Sequence, residues 1–158
     1  MQTVHLNLLI HGNKVDGDST MASMGRADTI ECHSFFYELS SPREMATGRL
    51  TGRRQHSPVT IVKPVDRSTP LLLKALCQNE VVNRADFRFF RPSPGGSGAE
   101  EHYYTVLLEN GFVSEIREEG HTGPESGQMM ERVSFVFRDI TWTYEIGGAT
   151  HKDSWSFE

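Results

Sequence analysis

RVSFVFRDITWTYEIGGATHKDSW, residues 132–155, is the stretch of this 158-residue chain that decides its fold. Up to Phe137 the large apolar residues occupy odd positions, and from Ile140 to Ile146 they occupy even positions. Alternation of this kind is typical of a strand with one buried face. A change of phase within a strand requires one extra residue. We therefore expect a β-bulge at Arg138-Asp139 that bends a single long strand around a core.

A tight reversal is predicted directly after this strand. Gly147 and Gly148 can both adopt positive φ, which a short hairpin turn requires. Residues 150–155 would then return as the antiparallel partner. A long, bent strand closed by a short hairpin indicates a β-barrel or a strongly curled sandwich.

The remaining chain predicts further strands and one helix. Alternating segments lie at about residues 4–10, 29–39, 49–65, 81–90 and 101–117. In the second of these, the odd residues, among them Phe35, are expected to face the core. The helix is predicted at about residues 69–78, because Pro70 suits a first helical turn and leucines recur at helical spacing. We predict one domain over residues 1–158, mainly β: a closed, curled β-barrel or sandwich of two antiparallel sheets with one short flanking α-helix.

Composition excludes several classes of protein. The formal net charge of −5 is unfavourable for a general nucleic-acid binder. Two cysteines, Cys32 and Cys77, are too few for a disulfide framework. The first residues lack a basic start and an unbroken apolar run, so we expect no cleavable signal peptide. No stretch has the apolar length of a membrane span, so we expect no membrane insertion.

Catalytic and metal-binding patterns are absent from the sequence. The seven histidines show no close ligand spacing, and no GxSxG motif is present. GGSG at residues 95–98 lacks the lysine and the following helix of a phosphate loop. We therefore expect no enzymatic activity, no cofactor and no metal. A small-ligand-binding β-barrel without catalytic activity remains an alternative, which would need a large internal cavity.

Charge is distributed unevenly along the chain. Basic residues collect between positions 43 and 74, and acidic residues collect after position 100. Such asymmetry is produced either by ion pairs within one subunit or by complementary surfaces that meet on different subunits. The basic region contains Arg43, Arg49, Arg53, Arg54, Lys63, Arg67 and Lys74.

Two stretches of the sequence resemble one known family. They are GRLTGRRQHSPVTIVKPVDRSTPLL, residues 48–72, and ITWTYEIGGATHKDSW, residues 140–155. Both are similar to the Hcp (haemolysin-coregulated protein) tube subunits of bacterial type VI secretion systems. The resemblance covers nearly the whole chain in order.

The resemblance implies a structural role. Hcp subunits form hexameric rings that stack into a hollow inner tube, and a contractile sheath expels the tube from the cell. The implied partners are further copies of the chain, the tube-tip spike and sheath components, and small effector proteins carried or chaperoned in the lumen. The implied location is the bacterial cytoplasm before firing, and then the extracellular space or a target cell. No nucleic acid, cofactor or catalytic step is implied.

The resemblance also suggests which residues make contacts. A six-fold ring needs a heterologous interface, in which two different surfaces of each subunit meet. Residues 40–55 resemble the extended loop that the family uses between rings, and by the same analogy Ser34 and Phe36 are candidates for effector contact in the lumen. The candidates for ring stacking or subunit contact are Arg43, Arg49, Arg53, Arg54 and Gln55.

Overall fold

The fold described by the computed structural model covers residues 1–155, which contain eleven strands, one α-helix and a 3₁₀ turn at Ser23–Gly25. The strands are β1 Thr3–Ile10, β2 Asn13–Val15, β3 Ile30–Cys32, β4 Ser34–Phe36, β5 Leu39–Ser40, β6 Gln55–His56, β7 Val59–Pro64, β8 Val82–Pro92, β9 Glu100–Glu119, β10 Met130–Tyr144 and β11 Ala149–Ser154. The helix, α1, is Thr69–Cys77. Within the same residues, no helix has the length and apolar character needed to cross a membrane.

Nine of the strands form one curled antiparallel sheet in the order β2-β1-β8-β9-β10-β7-β4. β3 pairs with β1, β11 pairs with β10, and β5 and β6 form a separate two-stranded sheet. The two ends of the large sheet meet at residues 30–36, because β3 and β4 are separated only by His33, whose N–H donates to Val62 O at 2.7 Å. The predicted fold class is confirmed: mainly β, with two antiparallel sheets and one helix. The two ends of the curled sheet are connected by residues 30–36, because β3 pairs with β1 and β4 pairs with β7. β1 and β7 are not hydrogen-bonded to each other as neighbouring strands.

Aromatic side chains fill the interior of the curled sheet. Phe87 contacts both Phe35 and Phe135 edge to face, with ring centroids 5.3 and 5.9 Å apart. Both Phe87 and Phe135 are buried, together with most of the odd-numbered positions that the alternation assigns to the core. The observed interior is that of a packed core, in which aromatic pairs add specific geometry to apolar burial.

Helix α1 begins and ends within one residue of its predicted bounds. Pro70 lies in its first turn, and Ser68 precedes it without donating or accepting a side-chain cap bond. Asp66 supplies the local hydrogen bonds instead, since its Oδ1 accepts from Ser68 N–H at 2.9 Å. Leu72 and Ala75 are buried and attach the helix to the core.

A buried ion cluster fixes the same helix to the sheet. The side chains of Lys63 on β7 and Glu131 on β10 are fully buried and form an ion pair. Lys63 Nζ also lies 3.0 Å from Asp66 Oδ1, and Thr69 Oγ1 donates to Glu131 Oε1 at 2.8 Å. The cluster therefore joins the two paired strands to the first residue of α1.

The long strand β10 changes its buried side where the sequence predicts, but not by the predicted bulge. Phe137 and Ile140 are both buried, although a regular strand would place them on opposite faces. The pairs Phe137–Gly111 and Asp139–Glu109 nevertheless keep one register with β9. The predicted bulge at Arg138-Asp139 is therefore wrong.

Both strands change side together, because β9 carries a matching irregularity. Asn110 lies opposite the change of phase and has φ 55°, in the left-handed region that asparagine tolerates. The register shift between the two strands lies elsewhere, between Ser134 and Phe135. On its other edge, β10 is paired with β7 over residues 130–135 and with β11 over residues 139–144. The bend thus lies where the partner on this edge of β10 changes from β7 to β11.

Two predicted strands are interrupted. Residues 29–39 form three short strands, because the chain passes from β1 to β7 at His33 and changes its buried side there: Cys32 and Phe35 both face the core. Leu39, which was expected to face the core, is exposed. The predicted strand over residues 49–54 is wrong, since these residues belong to an extended loop.

A strap, residues 16–29, covers His5 on β1. Arg26 of the strap is buried, with its guanidinium 4.6 Å from the ring centroid of Phe90 and its Nη1 3.3 Å from Glu100 Oε2. His5 is fully buried, and its Nδ1 lies 2.9 Å from Thr29 Oγ1, whereas its Nε2 contacts no hydrogen-bond partner among residues 1–155. Burial, followed by the charge of Arg26, lowers the pKa of His5, and the carboxylates of Glu31 and Glu100 oppose this only in part.

We expect acid to destabilise the fold through His5. Because the pKa of His5 is lower in the folded chain than in the unfolded chain, the unfolded chain binds this proton first as pH decreases from about 6.5, and the free energy of unfolding falls. The slope has an upper limit of about 1.4 kcal/mol per pH unit for one proton. Urea unfolding between pH 5 and 7 measures it. His5→Asn should flatten the profile, and the exposed control His121→Asn should not; equal slopes in all three proteins would contradict the assignment.

Candidate docking arm and its anchor

Residues 38–57 form an arm that extends from the curled sheet. Its base is the short sheet of β5 and β6, in which Leu39 pairs with His56 and Ser40 with Gln55. Beyond the base, Thr51 N–H donates to Pro42 O at 3.0 Å. These backbone bonds give the arm the form of a long hairpin with its own internal order.

The tip of the arm is held by hydrogen bonds between its own backbone groups, and it exposes apolar side chains. Glu44 N–H donates to Arg49 O and Gly48 N–H donates to Glu44 O, each at 2.8 Å. Met45 is fully exposed and Leu50 is 60% exposed. Exposed apolar side chains on an ordered projection are typical of a surface that contacts another protein.

The base of the arm is anchored to β11 by one carboxylate. Asp153 accepts from Arg54 at both oxygens, with Nη2–Oδ1 at 2.6 Å and Nε–Oδ2 at 2.7 Å. His56 Nε2 lies 2.7 Å from Asp153 Oδ2, and its Nδ1 lies 2.6 Å from the Tyr37 hydroxyl. Because a carboxylate only accepts, Nε2–H of His56 donates to Asp153 Oδ2, and in that tautomer Nδ1 accepts from the Tyr37 hydroxyl. We call Tyr37, Arg54, His56 and Asp153 the anchor.

Aromatic rings surround the His56 part of the anchor, whereas the Arg54 side chain is half exposed. The imidazole of His56 is buried, with its ring centroid 5.0 Å from that of Trp155 and 5.5 Å from that of Phe137. Trp155 is itself held, since its Nε1–H donates to Phe137 O at 2.7 Å. Burial of this kind strengthens the hydrogen bonds that the imidazole makes.

Ionisation of the anchor follows from its geometry. The hydrogen bonds from Arg54 lower the pKa of Asp153 to about 2, and the hydrogen bond from His56 acts in the same direction. The same contact raises the pKa of Arg54. Burial, and next the charge of Asp153, raises the pKa of Tyr37. The anchor therefore contains a carboxylate, a guanidinium and a protonated phenol throughout the neutral range.

The structure divides the five predicted interface residues between two places. Arg43, Arg49 and Arg53 are exposed on the distal part of the arm and take part in no ion pair within residues 1–155. Arg54 and Gln55 lie at the base, where Arg54 is bound to Asp153. The uneven charge of the sequence is thus partly neutralised within the subunit. Pairs of this kind are Arg54–Asp153, Lys63–Glu131 and Arg67–Asp28.

Ser34 and Phe36 lie on β4 and not on the arm. Both are exposed, and Phe36 is 58% exposed, whereas Phe35 between them packs into the core. Their register partners on β7 are Val62 and Thr60. They therefore share one solvent-facing surface. The next residue after Phe36 in the sequence is Tyr37 of the anchor.

The roles of Tyr37, His56 and Asp153 are not predicted by the sequence. Asp153 lies 97 residues from His56 along the chain, so no local spacing connects them. One signal was available, since Asp153 is an acidic residue in the predicted hairpin and the arginines of residues 43–54 are of opposite charge. Choosing Arg54 from among them needed the tertiary structure.

Comparisons with known proteins agree on one family. A family profile described as "Type VI secretion system effector, Hcp" matches residues 8–144. A curated relative, the "Major exported protein" of Pseudomonas aeruginosa, is 36% identical over 135 residues, which cover 83% of this chain and 77% of the relative.

Solved structures extend the similarity to almost the full chain. The Hcp1 protein of E. coli EAEC 042, solved as a mutant, is 30% identical with a TM-score of 0.83, and the match covers 98% of this chain and 99% of that one. The secreted protein Hcp3 of Pseudomonas aeruginosa is 27% identical with a TM-score of 0.78, covering 99% of both chains.

Proposed function

This chain belongs to the Hcp family of type VI secretion system proteins, and from that premise we propose that it is a non-enzymatic subunit of the secretion tube. In this proposal six copies form a ring, rings stack into a tube, and the arm of one subunit docks on a second copy in the next ring. The observation that carries the proposal is the ordered arm, whose tip presents Met45 and Leu50 beside arginines that have no ion partner within the described chain.

The same proposal includes the partners and the destination of the tube. Copies of the chain, the tube-tip spike and the sheath are its partners, and small effector proteins occupy the lumen. The exposed surface of Ser34 and Phe36 is the proposed effector contact, because an exposed phenylalanine offers apolar area to a passing protein. Export from the cytoplasm by the secretion machine agrees with the name of the Pseudomonas aeruginosa relative, "Major exported protein".

Negative-stain electron microscopy of the purified protein tests ring formation directly. We expect rings with a central hole, and stacks of rings as the protein concentration increases. Light scattering should give a mass that corresponds to six chains. A monomer at high concentration, with no rings in the images, would contradict the proposed function.

Charge reversal on the arm tests stacking separately from folding. In the double variant Arg49→Glu/Arg53→Glu we expect stacked rings to require roughly tenfold more protein, because acidic side chains replace cations at the docking surface. The thermal midpoint should not change, since both residues are exposed and form no ion pair within the subunit. Lys152→Glu, exposed on β11 outside the arm, is the matched control. Unchanged stacking in the double variant would remove the arm arginines from the contact.

A further inference from the structure

We propose that Asp153 is a positioning residue, which sets the direction of the arm so that the β10–β11 hairpin controls whether the arm can dock. This inference rests on the proposed function, because it assumes that the arm contacts a second copy of the chain. It adds that the arm is not an independent loop. Its direction is determined by a residue near the other end of the sequence.

The first argument is the position of the two side chains that Asp153 holds. Arg54 and His56 are two residues apart on the return side of the arm, so they extend from the same face of the backbone. One carboxylate binds both, at 2.6 to 2.7 Å. Two points of attachment on one strand fix its direction, whereas a single bond would allow rotation about it.

The second argument is the weakness of the base without the anchor. β5 and β6 pair over only two residues each, and isolated two-stranded hairpins are marginally stable in water. Ser57 N–H donates to Glu38 O and Glu38 N–H donates to Ser57 Oγ, each at 2.8 Å, so the two sides of the arm stay joined at the base without Asp153. Within residues 1–155, the bonds from Arg54 and His56 to Asp153 join the arm to β11 and so fix its direction relative to that hairpin.

The third argument is that adjacent arginines have different roles. Arg54 is held by Asp153 and also donates to Ser154 O at 3.3 Å, so its guanidinium is occupied. Arg53 is exposed and has no ion partner within residues 1–155. Arg54 therefore positions the arm and Arg53 contacts the partner, although the sequence presents them as an equivalent pair.

Hydrogen exchange and limited trypsin digestion of the full chain test the positioning role without requiring tubes. In Asp153→Asn, the new amide NH₂ cannot accept from both Arg54 and His56, so we expect about tenfold faster amide exchange at β5 and β6 and about tenfold faster cleavage after Arg49. Arg54→Gln changes an exposed side chain that the fold does not need, and it should give the same result. Asp139→Asn is the matched control, because Asp139 lies on the same hairpin and binds Ser154 and Asn110 but not the arm.

Arg53→Gln separates positioning from contact. It should weaken ring stacking while leaving exchange and cleavage of the arm as in the unmodified protein, whereas Asp153→Asn and Arg54→Gln should change all three. Rings should still form in every variant. If the unmodified protein never stacks, the proposed function fails, but the exchange result still decides the positioning role. Unchanged arm protection in both Asp153→Asn and Arg54→Gln would overturn it, as would an equal effect in Asp139→Asn.

Discussion

Lys63→Met is expected to lower the free energy of unfolding by about 3–5 kcal/mol, the range measured when one partner of a buried ion pair is removed. Lys63 is fully buried, and its ammonium lies between the carboxylates of Glu131 and Asp66. Methionine has a similar length but no charge, so the two carboxylates would remain close together in a dry site without a cation. Urea unfolding at neutral pH measures the loss.

The double variant Lys63→Met/Glu131→Leu separates the charge effect from packing. Removal of both charges leaves no uncompensated ion of that pair, so we expect it to recover a large part of the stability lost in the single variant. Lys152→Met, at an exposed position on β11, should change stability little. A single variant that unfolds at the same urea concentration as the unmodified protein would contradict the role of the cluster.

This cluster also predicts a local consequence in α1. Thr69 at the start of the helix donates to Glu131, and Leu72 packs into the core one turn later. We therefore expect faster amide exchange in α1 than in β8 when Lys63 is replaced. The cluster joins the only described helix to two strands of the sheet, so its loss should separate the helix first.

Gly111→Ala is the second substitution for which we expect a large effect, a loss of about 3 kcal/mol or more. A Cβ at this position would lie 2.2 Å from Val136 O and 3.1 Å from the Cα of Phe137. Both atoms belong to the backbone of β10, so no side-chain rotation can relieve the overlap. The two strands would have to separate where both change their buried side.

Gly95→Ala is the control for this prediction. Gly95 lies in the loop between β8 and β9, and a Cβ there would meet no atom within 4 Å. Its substitution should leave the thermal midpoint nearly unchanged, while Gly111→Ala should lower it by many degrees. If the two variants unfold at the same temperature, the close approach of β9 and β10 at Gly111 does not limit stability.

The predicted bulge at Arg138-Asp139 is absent. The sequence of one strand does not specify the geometry of its neighbour. The change of apolar phase between Phe137 and Ile140 is visible in the sequence, and the structure confirms it. A change of phase in one strand has two physical solutions: an extra residue in that strand, or a matching irregularity in its neighbour. Asn110 supplies the second solution, and nothing in residues 132–155 could distinguish between them.

The sequence alone determined the long strands, the hairpin turn and the helix, because these follow from local rules, whereas the segments at residues 29–39 and 49–54 differ from the prediction. Alternation predicted β1, β8, β9 and β10, and paired glycines predicted the hairpin to β11. Pro70 and leucine spacing predicted α1 to within one residue. Two motifs were sufficient to identify the family, which the comparisons support.

Only the tertiary structure decided which charges meet. Arg53 and Arg54 are indistinguishable as sequence, yet Arg54 is bound to Asp153 from the opposite part of the chain while Arg53 stays exposed. The physical reason is that backbone alternation and turn preference act over a few residues, whereas an ion pair depends on the distance between atoms that the fold brings together. The arm is therefore recognisable in the sequence, but its anchor is not.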